Sequence, residues 1–145
     1  MDGQSNRLSL SDIRQGTWQV LRGLDQRKDQ GVAKGGSLVA VVEHLRLKVS
    51  DRGREAWLLA ELETWDPWLR QQKGFVEREV LWDSDREEGI LLIHWASHAD
   101  WKAIPTSEVA TIQESFEAAA KRRLALPPQS ENPFPLIFAG EVELA

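Results

Sequence analysis

From residue 38 onward the apolar residues change period in a fixed succession, and this constrains the fold more than any other feature of the chain. Val41 to Val49 alternates with period two: Val41, Glu43, Leu45, Leu47 and Val49 fall on one face, and Val42, His44, Arg46 and Lys48 on the other. That is a strand with one apolar and one mixed face. A helical period follows from Ser50 or Asp51 to about Gln72, with Leu62, Trp65 and Leu69 within about 40° of Leu58 and Trp57 and Trp68 on a second stripe to one side. Asp66-Pro67 lies late in this segment, where proline kinks or restarts a helix and Asp66 is placed to cap a final turn.

Lys73-Gly74 ends the helical period, and Phe75–Trp82 and Ile90–Ser97 read as two strands around the polar turn Asp83–Gly89. This is a hairpin pattern. A short helical piece at Ala99–Ile104 precedes Pro105. Thr106 or Ser107 then caps a helix to about Leu124, with Glu108 in its first turn and Lys121-Arg122-Arg123 in its last, both favourable to the helix dipole. Val109, Ile112, Phe116, Ala119 and Ala120 form its apolar face, and Pro135–Leu144 can make a final strand.

The order is β-α-β-β-α-β. Right-handed crossovers place both helices on one side of a single sheet with strand order 4-1-3-2, a ferredoxin-like α+β plait. The other sheet face is left open. Ile90–Trp95 is apolar on both of its faces, so a second copy of the same sheet is the economical cover. The expected assembly is a homodimer through the open sheet face. Residues 38–145 form the domain. Residues 1–37 are expected to form an N-terminal arm with a short helix carrying Ile13, Val20, Leu21 and Leu24, weakened by Gly16 and Gly23.

Composition narrows the functional classes. With no cysteine, disulfides, thiolate metal sites and Cys nucleophiles are excluded. Net charge is −5 and no stretch is strongly basic, which disfavours nucleic acid and anionic membranes as partners. The longest apolar run, Leu38–Val42, is too short to span a bilayer, and the first residues lack the apolar core of a secretory signal; the expected compartment is the cytoplasm. The seven Trp, four Phe and no Tyr are an excess of rigid aromatic area for so short a chain. Only Trp65 sits squarely on a conventional core stripe, so the remainder is expected to serve two sheet faces, a dimer interface or a pocket.

Three segments carry a resemblance: Glu43-His-Leu-Arg-Leu-Lys-Val49, Gly74-Phe-Val-Glu-Arg-Glu-Val80 and His94-Trp-Ala-Ser-His-Ala-Asp-Trp-Lys-Ala-Ile-Pro105. Together they resemble a group of small bacterial proteins in the dimeric α/β-barrel superfamily. That superfamily includes antibiotic-biosynthesis-type monooxygenases, heme-degrading monooxygenases and stress-responsive barrel proteins. The resemblance covers about residues 40–124 and implies a homodimer whose sheets face each other, with a pocket between sheet and helices in many members. It implies no single activity, because the fold hosts unrelated chemistries. The heme-degrading branch is a poor match. Ile104 and Glu114 stand where that branch carries its active Trp and its heme-ligating His, and no His follows His98.

Candidate site residues follow from these placements. A cofactor-free oxygenase needs an aromatic-lined pocket and a base, for which Trp57, Trp68, Trp95 and Trp101 offer the lining and His44, His94 or His98 the base. His44, Arg46 and His94, joined by Arg78 if its strand faces the same way, could converge to bind an anion. Alternatively they form a polar seam in the dimer interface, paired with Glu77 or Glu79 of the other copy. His94-x-x-x-His98 has metal-like spacing only on a helix, and the acidic turn Asp83–Glu88 lacks the glycine of a calcium loop, so neither a metal nor a cofactor is expected. Two functions remain: a dimeric barrel protein binding a small hydrophobic or anionic ligand, or a cofactor-independent monooxygenase or isomerase acting on a small aromatic metabolite.

Overall fold

The computed structural model describes residues 39–143 and 145; the expected N-terminal arm lies outside the described residues. The elements are β1 (Val41–Lys48), α1 (Arg54–Glu63), α2 (Trp65–Leu69), β2 (Phe75–Asp83), β3 (Glu88–Trp95), α3 (His98–Lys102), α4 (Thr106–Arg123) and β4 (Leu136–Val142). The four strands form one antiparallel sheet in the order β2-β3-β1-β4, which is the expected plait. No helix among the described residues is long and apolar enough to cross a membrane.

Period-two alternation decides what each sheet face carries. Val41, Leu45 and Leu47 of β1 and Leu91, Ile93 and Trp95 of β3 are buried in one core with Trp57 of α1, Trp65 and Leu69 of α2, Trp101 of α3 and Val109, Phe116, Ala119 and Ala120 of α4. Arg78, Val80 and Trp82 of β2 share this helix-facing side, since they pair with Ile93, Leu91 and Gly89. A register shift at Arg46/Leu47 leaves Ile137 of β4 as an exposed extra residue.

The helical segment after β1 restarts near Pro67, as expected: it is two helices, with Thr64 and not Asp66 preceding the second. Pro67 has no N–H to give the carbonyl of Glu63, so α1 stops there, and Pro67 is tolerated in the first turn of α2. Thr64 closes α1 by donating its hydroxyl to the Ala60 carbonyl at 2.7 Å. The break uncouples the two halves of the expected stripe. Trp65 and Leu69 still face the core from α2, but α1 is rotated so that Trp57, Ala60 and Glu61 point inward, and Leu58 and Leu62 are exposed.

The tryptophans differ from expectation in the same direction. Trp57, Trp65, Trp95 and Trp101 are all fully buried in one core, and none of the described tryptophans lies on the open face. Their excess fills the single layer between sheet and helices. At about 25 cal/mol per Å2 and 150–250 Å2 apiece, each ring contributes roughly 4–6 kcal/mol of burial. Gly89 makes room for one of them: a Cβ there would stand 2.5 Å from the Trp57 ring. Trp82 is held at the rim by its indole N–H to the Val49 carbonyl (3.0 Å) and by the Arg54 guanidinium 3.9 Å over its ring.

Candidate functional site

Among the described residues three clusters of polar side chains emerge, one on the open face of the sheet and two on its helix-facing side. The first is on the face that no described helix covers. His44, Arg46 and His94 share it with Val42, Leu81, Ile90, Leu92, Phe138 and Val142, because β1–β3 pairs His44 with Leu92 and Val42 with His94. Arg46 donates to Glu88 at 2.9 Å and from Nε to His44 Nε2 at 3.3 Å, while His94 Nε2 meets Glu79 at 2.8 Å. His44 also packs on Phe138 with ring centroids 4.9 Å apart. Partial burial, and then the adjacent Arg46 charge, hold the His44 imidazole below the ordinary histidine value. An acceptor role toward Arg46 agrees with a neutral ring.

Arg46 and His94 meet carboxylates of their own chain, Glu88 and Glu79, and His44 meets Arg46. Arg78 does not join them. It lies on the opposite face, where Nη1 donates to Glu61 at 2.6 Å and Nε to Asp66 at 3.1 Å, with the Arg78 and Glu61 side chains almost wholly buried.

The third cluster is also on the helix-facing side, at the end of the sheet where β1 begins, β3 ends and β4 ends. Glu43 is on the apolar parity of β1, is nearly buried, and pairs across the ladder with Glu141 of β4. Both carboxylates therefore project into the same corner. His98 opens α3 there, fully buried, with Nε2 2.7 Å from Glu141 Oε2. The Trp95 indole N–H donates to Glu43 Oε1 at 3.4 Å. The Trp101 ring lies 5.9 Å from the His98 ring, and Lys102 Nζ stands 4.3 Å over Trp101.

Local sequence explains how α3 reaches this corner. Ser97 is extended and its hydroxyl accepts the Asp100 N–H at 3.0 Å, which caps the helix that starts at His98. The approach is tight: Gly74, at φ +86°, passes so close to Asp100 that a Cβ would stand 2.5 Å from it. Two adjacent carboxylates, an imidazole and an ammonium are costly to bury, and such groups persist where they satisfy one another or serve chemistry.

The structure thus separates the expected site residues into groups. His44, Arg46 and His94 are together on the open face. Trp95 and Trp101 are together at the buried corner. Trp57 is a core residue against Gly89, and Trp68 is half-buried, edge-on to Trp65 at 5.7 Å, bordering an outer cleft of about 270 Å3 with Ile112 and Thr111. Glu141 and Lys102 had not been singled out. Glu43 did leave one trace, an acid on an otherwise apolar strand face.

No family model matches the chain, and no curated protein matches it in sequence. Solved structures do match. The monooxygenase from the gene ActVA-Orf6 of Streptomyces coelicolor, in complex with the ligand nanaomycin D, shares 15% identity over 74% of this chain and 88% of that chain, with a TM-score of 0.52. The two chains share a fold, a four-stranded antiparallel sheet with helices on one side. SnoaB, a cofactor-independent oxygenase from Streptomyces nogalater, is also similar, at 18% identity over 72% of this chain and 90% of that chain with a TM-score of 0.41. In this fold the buried corner lies between the sheet and the helical layer, and the seam lies on the opposite face. The fold by itself names no reaction.

Proposed function

We propose that the protein is a homodimeric α/β barrel that binds a small aromatic molecule in each protomer, at the corner formed by Trp95, Trp101, His98, Glu43 and Glu141. The observation that carries this reading is the concentration of ionisable side chains in the core: Glu43, His98 and Lys102 are each less than a tenth exposed, beside two fully buried tryptophans. A corner that served packing alone would be filled at lower cost by apolar side chains. Dimerisation rests on the open face, where Leu81, Phe138 and Val142 are exposed around Ile90 and Leu92. A second sheet would remove that apolar area from water.

The test is titration of the full chain with a panel of phenols, naphthols and aromatic carboxylates, following tryptophan fluorescence. Saturable quenching that is lost in Trp101→Leu is the expected result. Absence of saturable quenching across the panel would overturn the reading.

A second reading, cofactor-independent oxygenation, is favoured by the imidazole–carboxylate pair and by the monooxygenase that shares the fold. A phenol with a free ring C–H plus O2 would give a quinone plus water. The substrate itself supplies the electrons, and a base is needed to remove the phenolic proton. Oxygen uptake with a phenol that quenches the tryptophans would distinguish oxygenation from binding alone.

A further inference from the structure

We propose that association through the open sheet face is gated by protons at His44: two copies associate while its ring is neutral and separate when it is charged. The inference rests on the dimer reading above and adds to it a regulation of that interface.

The placement of the ring carries the argument. His44 is on β1, a central strand, opposite Leu92 of β3 on one side and Gly140 of β4 on the other. A Cβ at Gly140 would stand 3.0 Å from the Phe138 ring, so the missing side chain lets that ring lie across β4 toward His44. The two rings pack with centroids 4.9 Å apart, and Phe138 is otherwise exposed. A sheet laid on Phe138 and Leu92 therefore also covers the imidazole.

The hydrogen bonding requires a neutral ring. His44 Nε2 accepts from Arg46 Nε at 3.3 Å, and a protonated imidazole has no lone pair to accept with. Arg46 cannot readily withdraw, because Nη1 donates to Glu88 of β3 at 2.9 Å and lies 3.8 Å from Asp83 of β2. A proton on His44 thus removes the acceptor and sets two cations side by side against apolar neighbours. Partial burial, then the Arg46 charge, already lower the ring's proton affinity in the single chain.

The other charged groups on this face are Lys48 of β1, Glu88 and His94 of β3, and Glu77, Glu79 and Asp83 of β2. The residues of β4 on this side, Phe138, Gly140 and Val142, carry no charge. Lys48 stands across the ladder from Glu88, and His94 Nε2 is 2.8 Å from Glu79, so a proton on His94 is matched by a carboxylate of its own chain. His44 has a cation as its nearest charged neighbour. Arg78, Glu61 and Asp66 lie on the other face of the sheet.

The sign follows from linkage. Covering the ring removes water from it and disfavours its charged form further, so the separate chains bind the proton better than the dimer does. Acid then favours separation. A two-fold interface contains the same patch from both copies, so the effect counts twice per dimer.

The test is the dimer dissociation constant of the full chain, by sedimentation at about pH 7.5 and about pH 5, a range in which histidine changes charge. Circular dichroism checks that the chain stays folded at both. The expected result is a Kd about tenfold or more higher at the lower pH. His44→Gln keeps an acceptor for Arg46 without a titrating ring, and its Kd is expected to change less than about twofold. His94→Gln is expected to retain the acid dependence. If His44→Gln fails to fold or associate, ring NMR of His44 in the unaltered chain decides. Its titration midpoint is expected to fall as rising protein concentration populates the dimer, and a midpoint independent of concentration overturns the gate. A dimer whose Kd is equal at both pH values, or whose acid dependence persists in His44→Gln, overturns the gate and leaves the dimer reading standing. A chain that stays monomeric at pH 7.5 at every concentration overturns both.

Discussion

Arg78 of β2 and Glu61 of α1 form an ion pair at 2.6 Å inside the protein, with side-chain exposures of 2% and 0%. It ties the edge strand of the sheet to the first helix, at the turn where Pro67 has broken the helical segment in two. Removing one member of a buried pair leaves the other charge in a low-dielectric site, which costs far more than the pair itself is worth. Arg78→Met is expected to lower the unfolding free energy by about 3–5 kcal/mol, read from the urea midpoint. Adding Glu61→Leu is expected to recover most of that loss. A deficit below about 1 kcal/mol for Arg78→Met would mean the pair behaves as a surface salt bridge.

Asp66 links the same network to acid stability. Burial tends to raise its carboxyl, but hydrogen bonds from Arg70 (2.8 Å) and Arg78 (3.1 Å) and their charges prevail, holding it below the usual aspartate value. Its folded value is therefore lower than its unfolded one. The stability it contributes is complete above the unfolded value and is lost as pH falls toward and through the folded one. Asp66→Asn is expected to be less stable than the unaltered protein at neutral pH and to lose less stability between pH 7 and about 3. Parallel stability curves over that range would show that Asp66 is not responsible.

Dimerisation through the open face is tested by one charge. Leu92 lies near the middle of that face, between Glu79 and His44 in the ladder. Leu92→Lys is expected to convert a dimer to a folded monomer by light scattering, with an unchanged circular dichroism spectrum. Leu62→Lys, on the exposed flank of α1, serves as the control and is expected to leave the mass unaltered. If Leu92→Lys remained a dimer, the association would run through another surface.

Gly89 is required by the ring above it. A methyl at that position would meet three Trp57 ring atoms at 2.5–2.9 Å. Gly89→Ala is expected to cost about 1–3 kcal/mol through overpacking, seen as a lower Tm. Combining it with Trp57→Leu should give a loss smaller than the sum of the two single changes, because the clash disappears with the ring. Additive losses would place the penalty elsewhere.

Parts of the site were legible in the sequence because strand parity is a local property. His44 and Arg46 share a face at spacing two, and His94 joins them once antiparallel pairing is assumed. Arg78 was not legible. Val76, Arg78, Val80 and Trp82 alternate against Phe75, Glu77, Glu79 and Leu81, and neither set is cleanly apolar. Only the register of Arg78 against Ile93 turns it toward the helices. The His98–Glu141 pair joins residues from the third helix and the last strand, and no local spacing announces such a contact. Glu43 among Val41, Leu45 and Leu47 was its one trace.

What the sequence determined by itself was the succession of elements and hence the plait, since hydrophobic period and crossover handedness leave one economical topology. It also determined that the helix after β1 must be interrupted near Pro67. The tertiary structure decided which side of α1 faces inward, because that rotation depends on fitting Trp57 over Gly89 and not on the pattern of Leu58 and Leu62. It decided where the tryptophans go, gathering four of them into one core. It also decided that an acid on β1, an acid on β4 and a histidine on α3 share a corner, since their meeting depends on three separate chain segments packing at once.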